Sequence, residues 1–119
     1  MDHSRPYEKL IAWQEAHQLC LCIYRTTKVF PADEKFELVN QMRRASSSVP
    51  MNIAEGNARR SKKDKAHFFE IAISSLEEVH YQCRLSFDLG YMKKGTLDEV
   101  NNHIGRTGYL LTKLRQAIA

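Results

Sequence analysis

The residues able to do chemistry in this chain are mostly cationic. Arg59, Arg60, Lys62, Lys63 and Lys65, offset only by Asp64, crowd one short stretch, and Arg43 and Arg44 precede them. Clustered guanidinium and ammonium groups recognise backbone phosphates, and a helix beginning beside them adds free N–H groups and the positive end of its dipole. The competing reading is a solvated, charged loop, the usual fate of an isolated basic run. Oligomerisation would alter that weighing, because each copy adds +4 and concentrated charge attracts polyanions where scattered charge does not. Arg43 and Arg44 sit about 100° apart if helical, so they point in different directions. At least one reads as a structural arginine pairing with a carboxylate across a helix or subunit interface, and the other is free to face nucleic acid. The sequence leaves open which is which.

Metal chemistry is tested next, because helical bundles often hold di-iron centres. Glu77-Glu78-Val79-His80 contains one Glu-x-x-His, but a di-iron bundle needs that motif on two helices and a Glu from each of the other two. Asp64-x-x-His67 falls on the same helix, and Glu99 with His103 has the wrong spacing for the motif. Cys20 and Cys22 point about 200° from each other on a helix and cannot chelate one ion together. No metal or cofactor is therefore expected. Arg60 and His67 resemble the Arg-x4-6-His element of the helical-bundle HEPN ribonucleases. That resemblance implies a histidine acting as acid or base and an arginine steadying the phosphate. The third polar partner would here be only Ser61, and an exposed His on the first turns of a helix is the preferred reading. With no Ser-His-Asp order or Gly-rich phosphate loop either, the expectation is a protein that is not an enzyme.

Composition sets the frame for these groups. The 119 residues suffice for one core, and a hydrophobic share of 43% with few Gly and Pro is ordinary for a folded domain. A net charge of +4 permits nucleic-acid contacts without demanding them. Three cysteines without scaffold spacing point to reduced thiols in the cytoplasm. No charged N-terminus precedes an apolar run, so secretion and membrane spanning are not expected.

Hydrophobic spacing predicts four helices, over about 7–29, 32–58, 62–89 and 97–118 of a single domain. In the first, Leu10, Trp13, His17, Cys20, Tyr24 and Thr27 mark the apolar face, widened by Ala16 and Ile23. The second begins with Asp33 and Glu34 at the favourable end of the dipole. Residues 41–56 are its organising stretch: Leu38, Met42, Ala45, Val49 and Ile53 share one stripe, and Gln41, Arg44, Ser48, Asn52 and Glu55 a second. Three serines and Pro50 interrupt that order, predicting a kink near residues 46–50, with serine hydroxyls satisfying the carbonyl of Ser46 that the proline orphans. Gly56 is placed to start a turn. Ser61-Lys62-Lys63-Asp64 resembles a capping box for the third helix, whose seam is Phe69, Ala72, Leu76, Val79 and Cys83. Gly90 stops it. Thr96-Leu97-Asp98-Glu99 predicts the cap of the fourth, carrying Leu97, Val100, Ile104, Leu111, Leu114 and Ile118. Short connections make this an all-α, antiparallel up-down-up-down four-helix bundle. The extra apolar surface of the third helix and the small residues around Ser46 suit a second interface, with burial inside one copy as the competing reading.

The run RRASSSVPMNIAEG, followed by NARRSKKD, closely resembles the signature of the four-helix-bundle family that includes the 23S rRNA intervening-sequence proteins. More distantly it is similar to the accessory proteins of diversity-generating retroelements. YEKLIAWQEA, VFPADEKFEL and LGY extend the likeness over nearly the whole chain. It implies a homo-oligomer, a ring-shaped pentamer as in relatives, with RNA or DNA as partner. It also implies a protein partner such as a reverse transcriptase or another nucleic-acid enzyme. The basic residues above would then be the binding surface.

Overall fold

The computed structural model describes residues 3–118. Its architecture is all-α: four helices, α1 (Ile11–Thr27), α2 (Leu38–Ala58), α3 (Lys62–Asp88) and α4 (Lys94–Ala117), with 3-10 turns at Pro6–Lys9 and Ala32–Glu34. Each helix packs on its sequence neighbours and α1 closes the square against α4, while among the described residues the backbones of the diagonal pairs stay apart. Three residues join α2 to α3 and five join α3 to α4, so these partners run antiparallel, as an up-down-up-down bundle requires.

The seams of α2 and α3 form as spaced in the sequence. Met42, Ala45, Val49 and Ile53 are buried against Phe69, Ala72, Leu76, Val79 and Cys83. Burying a side chain the size of Phe69 stabilises the fold by about 1.5–3 kcal/mol. On α4, Leu97, Val100, Ile104, Thr107 and Leu111 are buried, and Leu114 and Ile118 pack at the margin of the core. The seam of α1 is rotated from its predicted position. Ala12, Ala16, Leu19 and Ile23 line the core, whereas Leu10, Trp13 and His17 are only half-buried and Tyr24 is exposed. Large aromatic groups masked a stripe of smaller residues that fits better between α2 and α4.

Helix starts also differ. Pro6 opens a 3-10 turn, and Leu10 is extended at φ −74°, ψ 126°, so α1 begins at Ile11 and not at Tyr7. Gln14 Nε2 donates to the Glu8 carbonyl at 2.9 Å, fastening the turn to the helix. A second 3-10 turn follows Pro31, which delays α2 to Leu38. Asp33 and Glu34 therefore lie outside α2. Glu34 instead accepts the Tyr91 hydroxyl at 3.0 Å, tying this turn to the α3–α4 loop and pushing the phenol pKa upward. α4 starts at Lys94, ahead of the Thr96 box, because Leu97 N–H already bonds the Lys93 carbonyl and Lys94 pairs with Asp98 at 2.6 Å. The serine half of the first box does form: Ser61 Oγ accepts from Asp64 N–H at 3.1 Å. Gly90, at φ 82°, ends α3, with Tyr91 N–H bonding back to the Ser86 carbonyl at 2.9 Å.

α2 is one helix through Pro50. The serine hydroxyls do not serve the Ser46 carbonyl: Ser46 and Ser47 donate to the carbonyls of Arg43 and Arg44, three residues back. A helical serine reaches back by three or four residues, so only positions 49 and 50 could reach that carbonyl, and they hold Val and Pro. The small-residue face is largely absorbed within one copy. Ser46 is fully buried facing Cys20 of α1, and Ser48 shares a 2.8 Å hydrogen bond with Ser75 of α3.

Gly56 likewise begins no turn. It is buried inside α2, where an added Cβ would meet the Phe69 ring at 2.6 Å and Phe68 Cβ at 3.2 Å. Gly105 of α4 faces open space. Gly56→Ala is expected to lower unfolding stability by about 1–3 kcal/mol through overpacking, despite alanine's better helix propensity. Gly105→Ala is expected to raise it by about 0.5–1 kcal/mol. Urea unfolding of the two variants checks both signs.

Candidate nucleic-acid interface

The seven predicted basic residues divide into those the fold uses and those it leaves free. Arg43 is used. Its Nε donates to Thr27 Oγ1 at 3.0 Å, its Nη2 to the Tyr24 carbonyl at 3.2 Å, and its guanidinium lies 4.8 Å from the Tyr24 ring centre. Thr27 in turn donates to the Ile23 carbonyl at 2.8 Å. Arg43 is thus the structural arginine of the pair, but it holds the C-terminal end of α1 through a hydroxyl and a carbonyl, not a carboxylate. A helix C-terminus offers a fork-shaped cation both unsatisfied oxygens and the negative end of the dipole. Arg44 is exposed.

At the α2–α3 turn the same division holds. Lys65 Nζ donates to the carbonyls of Asn57 at 3.0 Å and Gly56 at 3.4 Å, closing the C-terminus of α2. Arg59 pairs with Glu55 at 3.1 Å and lies 4.6 Å from the Phe68 ring centre. Arg60, Lys62 and Lys63 are exposed, and among the described residues the side chains of these three and of Arg44 take part in no hydrogen bond or ion pair. The turn therefore presents three unneutralised cations at the N-terminus of α3. Arg43 and Arg44 do not join them, since fifteen residues of α2 separate Arg44 from Arg59, roughly 22 Å at 1.5 Å per residue. His67 is exposed with its ring edge against Phe68, centroids 5.3 Å apart, and no hydrogen bond links it to Arg60.

A groove of about 860 Å³ adjoins this turn, and residue spacing alone did not reveal it. Tyr7, Trp13 and His17 form one wall and Pro50, Met51 and Phe68 another, with Arg5 and Arg59 also lining it. Trp13 stacks on His17 with centroids 4.9 Å apart and planes 10° from parallel, and the Tyr7 ring meets Trp13 edge-on at 5.1 Å. The half-buried aromatic stripe of α1 is the signal that marked it. Residues assigned to the core by size instead face this groove, because Ala12 and Ala16 occupy the true seam.

The fold and this surface define an all-α four-helix-bundle protein with a cationic turn beside an aromatic groove. Residues 8–113 match the family described as 23S rRNA-intervening sequence protein, and the chain belongs to that family. A solved structure from Bacteroides thetaiotaomicron, described as a protein with unknown function from the S23 ribosomal protein family, has the same fold. It aligns with a TM-score of 0.82 at 20% identity, covering 89% of this chain and 96% of its own. No curated protein matches the sequence. No helix of the described residues is long and apolar enough to cross a membrane.

The division among the arginines has a direct consequence for stability. Arg43→Ala is expected to cost about 1.5–3 kcal/mol, the usual worth of hydrogen bonds from a charged group, whereas Arg44→Ala stays within about 0.5 kcal/mol of wild type. Equal losses in urea unfolding would contradict the assignment.

Proposed function

We propose that this protein is a non-enzymatic, ring-forming nucleic-acid-binding factor that acts beside an RNA- or DNA-processing enzyme. The observation that carries the reading is the trio Arg60, Lys62 and Lys63, exposed and unpaired at the N-terminus of α3. The fold has assigned Arg59 and Lys65 to structural duties, so these three remain for phosphates, and the helix terminus adds to their attraction. The neighbouring groove favours single strands over duplexes. Trp13, His17, Tyr7 and Phe68 offer aromatic surface on which unpaired bases stack, while a cationic rim follows the backbone.

Copies of the chain would multiply this surface. Met51 at 62% exposure and Tyr81 at 64% give α2 and α3 apolar area beyond what one bundle buries, which suits contacts between copies. The family's description as 23S rRNA-intervening sequence protein supports RNA as the first ligand to try.

The test is light scattering followed by titration with a short labelled single-stranded RNA at several salt concentrations. The expected result is a mass near five times 13.8 kDa and an affinity that falls steeply with salt. Arg60→Glu combined with Lys63→Glu should weaken binding at least about tenfold and flatten the salt dependence, while exposed Lys28→Glu leaves both unchanged. An oligomer that ignores RNA would make the protein a scaffold, and affinity insensitive to salt would refute the electrostatic reading.

A further inference from the structure

Away from the basic turn, on the seam between α1 and α4, three different metal-ligating groups converge. Cys22 of α1 and Glu99 and His103 of α4 place a thiol sulfur, a carboxylate oxygen and an imidazole nitrogen all within 4.8 Å of one another. We propose that these residues form a binding site for a thiolate-preferring divalent cation of the zinc class, with three protein ligands and one position open to water.

The geometry is close to what such an ion needs. Ligand bonds of about 2.0–2.3 Å in a tetrahedral site hold the donor atoms roughly 3.3–3.8 Å apart. Cys22 Sγ and Glu99 Oε1 are 3.9 Å apart and no pair of the three donors exceeds 4.8 Å, so a contraction of at most about 1.5 Å brings the set to bonding distance. Glu99 and His103 are four residues apart on one helix and share a face, and antiparallel α1 brings Cys22 opposite them. The donor types match a borderline-soft ion: thiolate, imidazole and carboxylate together balance two positive charges without a further anion.

The surroundings also suit a site reached from solvent. Cys22 is 2% exposed and forms the floor, His103 is half-buried and Glu99 is exposed at the mouth. Glu15 Oε1 lies 3.6 Å from His103 Nδ1 and is itself held by Arg106 at 2.7 Å. Arg106 Nη2 also approaches His103 Nδ1 at 3.5 Å, so the Glu15–Arg106 pair borders the imidazole on this side. Without an ion, the Cys22 thiol lies 3.9 Å from Glu99 Oε1 and donates to it. On binding, the S–H proton leaves to solvent and the sulfur's electron pair goes to the ion.

Cadmium reports the site directly, because a cadmium–thiolate bond gives an ultraviolet charge-transfer band that histidine or carboxylate ligation does not. Titrating the full chain with Cd2+ alone under reducing conditions should give this band, saturating at one ion per chain and displaced by Zn2+. Cys22→Ser should abolish the band, and Cys20→Ser should retain it. Glu99→Gln and His103→Gln, on the solvent side of the seam, should each weaken binding at least about tenfold and remain informative if Cys22→Ser does not fold. A band that survives Cys22→Ser in folded protein, wild-type affinity in both α4 variants, or no band at micromolar cadmium would overturn the site.

Discussion

The approach of α2 onto α3 at Gly56 is the constraint on which the rest of the bundle depends. A glycine there lets the Phe69 ring lie where any side chain would stand, so the C-terminal turn of α2 packs directly on the Phe68 and Phe69 side chains of α3. With the two helices this close, a connection of three residues suffices. The short turn then has to manage two helix ends at once. Lys65 supplies donors to the free carbonyls of α2, and Ser61 supplies an acceptor for the free amides of α3. What remains of the basic run has no internal duty and faces solvent.

The same economy explains the groove. Small residues at Ala12 and Ala16 bring α1 against the core, which leaves Trp13 and His17 half-buried at its edge, where they line the groove with Pro50 and Met51 of α2. The 3-10 turn at Pro6–Lys9 folds back over this face, and Tyr7 meets Trp13 there. Stacking on His17 and the edge contact from Tyr7 hold the indole in place, and Arg59 lies over Phe68 on the far wall. Aromatic surface and positive charge are thus brought together by tertiary packing of residues about fifty positions apart.

Much of the fold was legible in the sequence because α2 and α3 bury single, well-spaced stripes, and because Ser61 and Gly90 mark helix ends by their own chemistry. The start of α4 was not legible, since backbone bonding and the Lys94–Asp98 pair outcompeted the Thr96 box. The starts of α1 and α2 were displaced by prolines that open 3-10 turns, which periodicity does not register. Of the candidate site, the position of the basic turn could be read, but the roles within it could not. Telling Arg43 from Arg44 required knowing where α1 ends, and removing Arg59 and Lys65 from the free set required the Glu55 and Asn57 contacts. The convergence of Cys22 with Glu99 and His103 was hidden for the same reason: their helices lie at opposite ends of the chain.

The central claim is that the free cations of the α2–α3 turn and the adjacent groove act as one surface for single-stranded nucleic acid. Amide and aromatic chemical shifts recorded by NMR during titration with a short single-stranded RNA test it most directly. The account predicts changes concentrated at residues 57–65 and at the rings of Tyr7, Trp13, His17 and Phe68, with the region around Arg43 unaffected. Shifts spread over unrelated basic residues, or confined to the turn with the groove silent, would contradict it.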